Sequence, residues 1–147
     1  MNPTMMKTFN SLVFLIIFLF PFFVYGEEFS ISTKNNLILE LRPGQKVTAG
    51  FMDITVSENV NIIKIESKLI GNIEAHSMIM DGEIMKMRKI KPELKKNIEY
   101  KFQPGGDHLM FYNVSEKLKK GDNINLLFTF ELKNQKRLSK SIQFKVK

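Results

Sequence analysis

An Asp-Gly dipeptide at Asp81-Gly82, set between two β-prone runs, constrains this chain more than any other local feature. A two-residue type I′ hairpin needs positive φ at both central residues, and Asp-Gly adopts that shape at little cost. With Asp81-Gly82 as the loop, Met80 is expected opposite Glu83, Met78 opposite Met85, and His76 opposite Met87. Strand side chains alternate with period two, so all six point to one face. Directly opposite Cβ atoms lie roughly 4.5–5.5 Å apart. An imidazole and a thioether at that spacing can grip one ion between them.

Both histidines of the chain, His76 and His108, lie in the stretch from Glu74 to Met110. His108 and Met110 are two residues apart, so on a strand they share a face. Two imidazoles and two thioethers make a neutral, soft donor set. Thioethers select Cu(I), whereas carboxylates and water suit harder ions. The residues therefore point to a Cu(I) site made by His76, Met87, His108 and Met110. Met78, Met80 and Met85 read first as packing residues, because methionine fills irregular gaps well. Auxiliary copper contact is their second reading, and Met52 reads as core. Asp107 and Glu83 are the candidate hydrogen-bond partners for an imidazole. Ligand exchange needs access, so the site is expected near a sandwich edge and partly exposed.

The chain has no cysteine. That excludes disulfides, thiolate zinc sites, thiol catalysis, iron–sulfur clusters and blue-copper electron transfer together. Two histidines without an acid cluster do not build a hydrolytic zinc site, which takes three protein ligands. No Ser–His–Asp order stands out, and an enzyme is not expected. Lys7 is the single charged side chain before Glu27, and Leu12 to Tyr25 is a run of 14 apolar residues. This is the pattern of a secretory signal peptide, shorter than the ~20 residues that span a bilayer. Residues 1–26 are expected to be removed after Gly26, the alternative being an uncleaved anchor; either way residues 27–147 form one exported, periplasmic domain outside the cytoplasm. Losing Lys7 takes the net charge from +7 to +6. The lysines are scattered and no aromatic platform is interleaved with them, so nucleic acid is not an expected partner. The chain is expected to act as a monomer.

Short strands are expected at about 28–33, 37–41, 47–56, 60–70, 73–80, 84–90, 97–102, 108–114, 124–132 and 139–146. Ile124, Leu126, Phe128 and Phe130 share one parity, and Ile142, Phe144 and Val146 another. Arg42-Pro43-Gly44, Lys91-Pro92, Pro104-Gly105-Gly106 and Lys120-Gly121-Asp122 punctuate the runs. Many short strands at regular spacing, with no 3.6-residue period, imply an all-β, antiparallel Greek-key β-sandwich.

These motifs together resemble the signature of the periplasmic PCu(A)C copper chaperones. Glu74-Ala75-His76-Ser77-Met78-Ile79-Met80, Gly82 and Met85-Lys86-Met87-Arg88 are similar to its first half. Pro104-Gly105-Gly106-Asp107-His108-Leu109-Met110 is similar to its second, and Leu118 to Phe130 to its closing strands. The resemblance covers about residues 37–146. One departure is visible: 20 residues separate Met87 from His108, one fewer than is usual in that family. The resemblance implies a cupredoxin-like β-sandwich without the cupredoxin cysteine. It also implies that His76, Met87, His108 and Met110 hold Cu(I). Its expected recipient is the binuclear copper site of cytochrome c oxidase, reached directly or through a Sco-like thiol protein. The competing reading is a secreted β-sandwich interaction module without metal.

Overall fold

The computed structural model describes residues 26–147. Apart from Gly26, the expected signal peptide lies outside the described residues. Ten strands are present among the described residues: β1 (Ile31–Ile38), β2 (Val47–Val56), β3 (Val60–Glu66), β4 (Ile70–Asp81), β5 (Ile84–Lys89), β6 (Glu93–Leu94), β7 (Tyr100–Phe102), β8 (His108–Val114), β9 (Asn123–Leu132) and β10 (Arg137–Val146). No helix occurs among the described residues, so the all-β expectation holds.

Alternation builds the late strands. Ile124, Leu126, Phe128 and Phe130 of β9 are buried, as are Ile142, Phe144 and Val146 of β10, while Asn125, Leu127, Gln143 and Lys145 between them are exposed. The two strands pair without a break from Arg137↔Glu131 to Lys145↔Asn123. The rings of Phe128 and Phe144 stack at 6.2 Å, and those of Phe128 and Phe130 at 6.1 Å.

The hydrogen-bonded path runs β5-β4-β8-β2-β1-β10-β9-β3-β6, with β7 also pairing with β2. One link in this path is parallel, between β1 and β10 at Leu37↔Lys145 and Ile38↔Val146. The remaining pairs are antiparallel. The path folds over so that inward residues of β4, β8 and β2 meet those of β3, β9 and β10 in one core. Met52 is fully buried there, as its strand pattern suggests.

Several boundaries differ from the sequence reading. The runs at 28–33 and 37–41 are one strand, β1, whose register shifts between Lys34 and Leu37. Asn35 takes φ 58° at that bulge, a conformation asparagine tolerates better than most residues. The run at 60–70 stops at Glu66, and a tight turn closed by the Ser67↔Ile70 bridge starts β4. Two residues at Glu93–Leu94 form a short strand of their own against Val60 and Asn61.

Gly50 of β2 matters for where β8 lies. A Cβ at this position would sit 2.4 Å from Cε2 of Phe111 and 2.9 Å from the Leu37 carbonyl oxygen. The absent side chain lets the Phe111 ring pack flush against β2, which sets β8 beside it. Gly50→Ala is expected to cost about 1–3 kcal/mol through overpacking, measured as a lowered urea midpoint with an unchanged m-value. A variant as stable as the parent would contradict this packing.

Candidate metal centre

β4 is the second strand in from one end of the sheet path, between the end strand β5 and β8. Its Ile73 and Ala75 are buried in the core. Period-two alternation therefore turns Asn72, Glu74, His76 and Met78 to the opposite face. On β8, Leu109 and Phe111 are likewise core residues, so His108, Met110 and Tyr112 share that outer face. Register aligns the two sets: His76 pairs with His108, Glu74 with Met110, and Asn72 with Tyr112.

The two imidazoles come within 6.1 Å, centroid to centroid, and Tyr112 lies 6.3 Å from His76. Both rings are buried although they stand on the outer face, at 9% exposure for His76 and 6% for His108. Half-buried Met110 lies on the same face, level with Glu74.

Hydrogen bonds assign the tautomers. His108 Nδ1 lies 2.9 Å from the Gly106 carbonyl oxygen. A carbonyl only accepts, so Nδ1–H donates and Nε2 keeps its lone pair in the neutral ring. His76 Nε2 lies 2.9 Å from Glu74 Oε2 and donates to that carboxylate. Glu74 is held ionised, its carboxyl lowered to about 2, first by the hydrogen bond from Lys89 and then by those from His76 and Asn72. The Lys89 and Asn72 contacts to Oε1 are 2.8 and 3.1 Å. His76 Nδ1 is then a bare acceptor, buried and without a partner. Leaving such an atom unsatisfied typically costs about 1–3 kcal/mol. A cation placed there would satisfy it.

The imidazole's carboxylate partner is thus Glu74, two residues before His76 on the same face. Neither carboxylate singled out in the sequence plays this part. Asp107 instead accepts a hydrogen bond from the Tyr100 hydroxyl, and Glu83 lies in the hairpin loop beyond Asp81. The i, i+2 spacing of Glu74 and His76 was the signal available for it.

The hairpin register also differs from expectation. Asp81 pairs with Ile84, so the loop is Gly82-Glu83 and not Asp81-Gly82. Gly82 has φ 67°, and Glu83 is not among the positive-φ residues. Glycine at the first loop position is the type II′ requirement. Asp81 stays in the strand and binds Lys86 at 2.6 Å. Every pair therefore moves by two residues: His76 faces Lys89, Met78 faces Met87, and Met80 faces Met85. An even shift keeps each side chain on its expected face, so Met87 still shares the face of His76.

Met87 and Met110 lie on opposite diagonals of His76, one level with Met78 and the other with Glu74. Two strand spacings and four residues of rise separate their Cβ atoms by on the order of 15 Å. In this register the structure brings together His76, His108 and Met110, and it leaves Met87 beside Met78. The site lies one strand in from the edge, with buried rings and half-buried sulfur. Among the described residues no three His, Cys, Asp or Glu side chains form a metal-holding group.

The fold defined here is that of PCuAC domains. It is similar to the apo PCuAC domain from PmoF1, with TM-score 0.63 and 11% identity over 80% of this chain and 92% of that one. The copper-bound PCuAC domain from PmoF2 aligns at TM-score 0.58 and 12% identity over 80% and 93%. Apo-DR1885 from Deinococcus radiodurans aligns at 0.53 and 20% identity over 80% and 79%. At these identities the likeness is one of fold. In sequence, residues 31–142 match the family described as "Putative lipoprotein LpqE-like", and the chain belongs to that family. It is also 33% identical over 84 residues to "Uncharacterized protein RP573" of Rickettsia prowazekii (strain Madrid E). That match spans 56% of this chain and 46% of the relative, about half the relative's length.

The loop before His108 is tied down by Tyr100, whose hydroxyl bonds Asp107, and by Gln103 N donating to the Asp107 carbonyl at 2.7 Å. Burial, and then the Asp107 carboxylate, push the Tyr100 hydroxyl well above its usual range. A pKa raised on folding favours the neutral form, so this contribution to stability is present below pH ~10 and is lost as pH rises through the folded value. In an ultraviolet pH titration, Tyr100 is expected to stay protonated at pH ~10, where a free tyrosine side chain ionises. Tyr100→Phe should remove only that late phase. Ionisation of Tyr100 near pH ~10 would contradict the hydrogen bond.

Proposed function

We propose that this protein is an extracytoplasmic copper carrier, not an enzyme, which holds one Cu(I) at His76, His108 and Met110. The observation that carries the reading is the buried, partnerless Nδ1 of His76, beside a second imidazole whose own Nδ1 is already engaged. Each ring has one nitrogen fixed by a hydrogen bond and the other free to donate. Glu74 makes His76 the better donor by accepting its Nε2–H, the usual role of a carboxylate behind a metal-bound histidine. Copper is the cargo of this chemistry, and a PCuAC domain of the same fold is named as copper-bound.

A carrier has to hold its ion and also give it up. Neutral nitrogen and thioether donors select Cu(I) without the stronger grip of a thiolate. Transfer to a recipient with cysteine ligands then runs downhill. That is consistent with delivery toward the binuclear copper site of cytochrome c oxidase, directly or through a Sco-like thiol protein. Met87 stands on the same face, diagonal to His76 across the β4–β5 pair. In the register observed it is the partner of Met78.

Anaerobic competition with a chromophoric Cu(I) chelator tests the site. The mature chain should retain one tightly held equivalent. His108→Ala should abolish that binding, and Met110→Leu should weaken it by about tenfold or more, ~1.4 kcal/mol. Met87→Leu should change it by less than about threefold. Retention of copper by His108→Ala with unchanged affinity would end the proposal. Glu74→Gln keeps the shape and removes the charge, and should weaken Cu(I) binding by about 10–100-fold. The His76 ring resonances should shift in the same variant, which separates a positioning role from general destabilisation.

A further inference from the structure

The cations of this domain are matched unevenly. Several on the strands are met by a carboxylate, as in Lys34–Glu99 at 2.5 Å and Lys64–Glu66 at 2.7 Å. A different set gathers at one end of the sandwich. The β1–β2 loop carries Arg42 and Lys46, the β3–β4 turn carries Lys68, and the β8–β9 turn carries Lys117, Lys119 and Lys120. All six are exposed, and none joins an ion pair among the described residues. Backbone bonds tie the three turns into one surface. Val114 N–H donates to the Lys46 carbonyl at 3.1 Å, and Ser115 N–H to the Leu69 carbonyl at 2.8 Å. Leu41, Arg42 and Pro43 face Leu118 and Lys119 across a groove of about 660 Å³.

The same three turns hold only three carboxylates, Glu40, Glu116 and Asp122, and Asp122 is taken up by the Lys119 backbone N–H at 2.8 Å. The surface is therefore positive. Its composition says what it fits. Five of the six cations are lysines, which are depleted from protein–protein interfaces. A lysine is a hydrated point charge and lacks the guanidinium fork that reads a defined carboxylate. An array of such charges suits a layer of many phosphates, and polybasic clusters of this size are drawn to anionic lipid headgroups. Leu39 and Val47, at the two ends of the β1–β2 loop, are 43% and 41% exposed. Apolar side chains among cations are the pattern of segments that rest at the headgroup boundary.

We infer that this end of the sandwich docks on the headgroups of an anionic bilayer, through the β1–β2 loop and the β3–β4 and β8–β9 turns. The orientation follows from the strands. Ile70 pairs with Val114 at this end, and His76 pairs with His108 six residues further along β4, a rise of about 20 Å. A docked domain thus holds its imidazoles away from the lipid. The inference uses none of the metal-centre residues and does not require that centre to bind copper.

The test is co-sedimentation of the mature chain with vesicles of phosphatidylcholine, alone or mixed with phosphatidylglycerol. Binding is expected to the mixed vesicles and not to phosphatidylcholine alone, and it should fall as salt is raised, because salt screens exposed charges. Lys117→Gln/Lys119→Gln/Lys120→Gln should weaken it by about tenfold or more. The control is Lys95→Gln/Lys133→Gln/Lys136→Gln, which removes the same charge from exposed lysines outside the three turns. It should bind within about threefold of the parent, since the attraction falls off within a Debye length of the surface. All six positions are exposed, so both variants should fold, which circular dichroism checks. Absence of binding to the mixed vesicles would overturn the inference. So would equal losses in the two variants, which would make net charge alone responsible. Binding to polyglutamate but not to the vesicles would also overturn it, and would assign this end to an acidic protein. Copper retention by the Lys117→Gln/Lys119→Gln/Lys120→Gln variant reports separately on the histidine centre, so either reading can fail while the other stands.

Discussion

The pairing of His76 with His108 across β4 and β8 is the contact from which the chemistry follows. Neither histidine sets it. Ile73 and Ala75 on one strand, with Leu109 and Phe111 on the other, are locked into the core. A one-residue slip of either strand would drive these side chains into water and turn the imidazoles inward. Burial of apolar surface on one face thus holds the rings in place on the other. Phe111 in turn occupies the space that Gly50 leaves open, so a residue with no side chain helps to position a histidine.

Each ring is oriented by a bond to a group near in sequence, Gly106 for His108 and Glu74 for His76. These bonds engage one nitrogen and leave the other as a lone pair. Burial makes the free nitrogen of His76 costly while it lacks a partner. The sulfurs vary in exposure, from half-buried Met110 to the open hairpin methionines. Buried nitrogen beside accessible sulfur suits an ion that is held at the rings and exchanged through the thioethers.

Much of this was legible in the chain. Alternation in β9 and β10 disclosed both their faces and their buried phenylalanines, because a period of two is hard to mistake when one face is core. The His/Met faces were legible for the same reason. Register was not. Asp81-Gly82 suits a type I′ loop, but the turn with Gly82 leading also leaves Asp81 free to pair with Lys86, and local propensity does not decide between the two. The error was two residues, so parity survived while opposition did not: His76 faces Lys89 instead of Met87. The role of Glu74 was hidden because carboxylates nearer the turns looked equally suitable. The parallel β1–β10 link joins residues from the two ends of the domain, and no local pattern announces such a contact. Met80 and Met85 resembled packing residues until their exposure was known.

X-ray absorption on the mature chain loaded with a single equivalent of Cu(I) tests the central claim most directly. Two imidazole nitrogens together with thioether sulfur around a reduced ion are predicted. A first equivalent bound by sulfur alone, with no imidazole scattering, would contradict it.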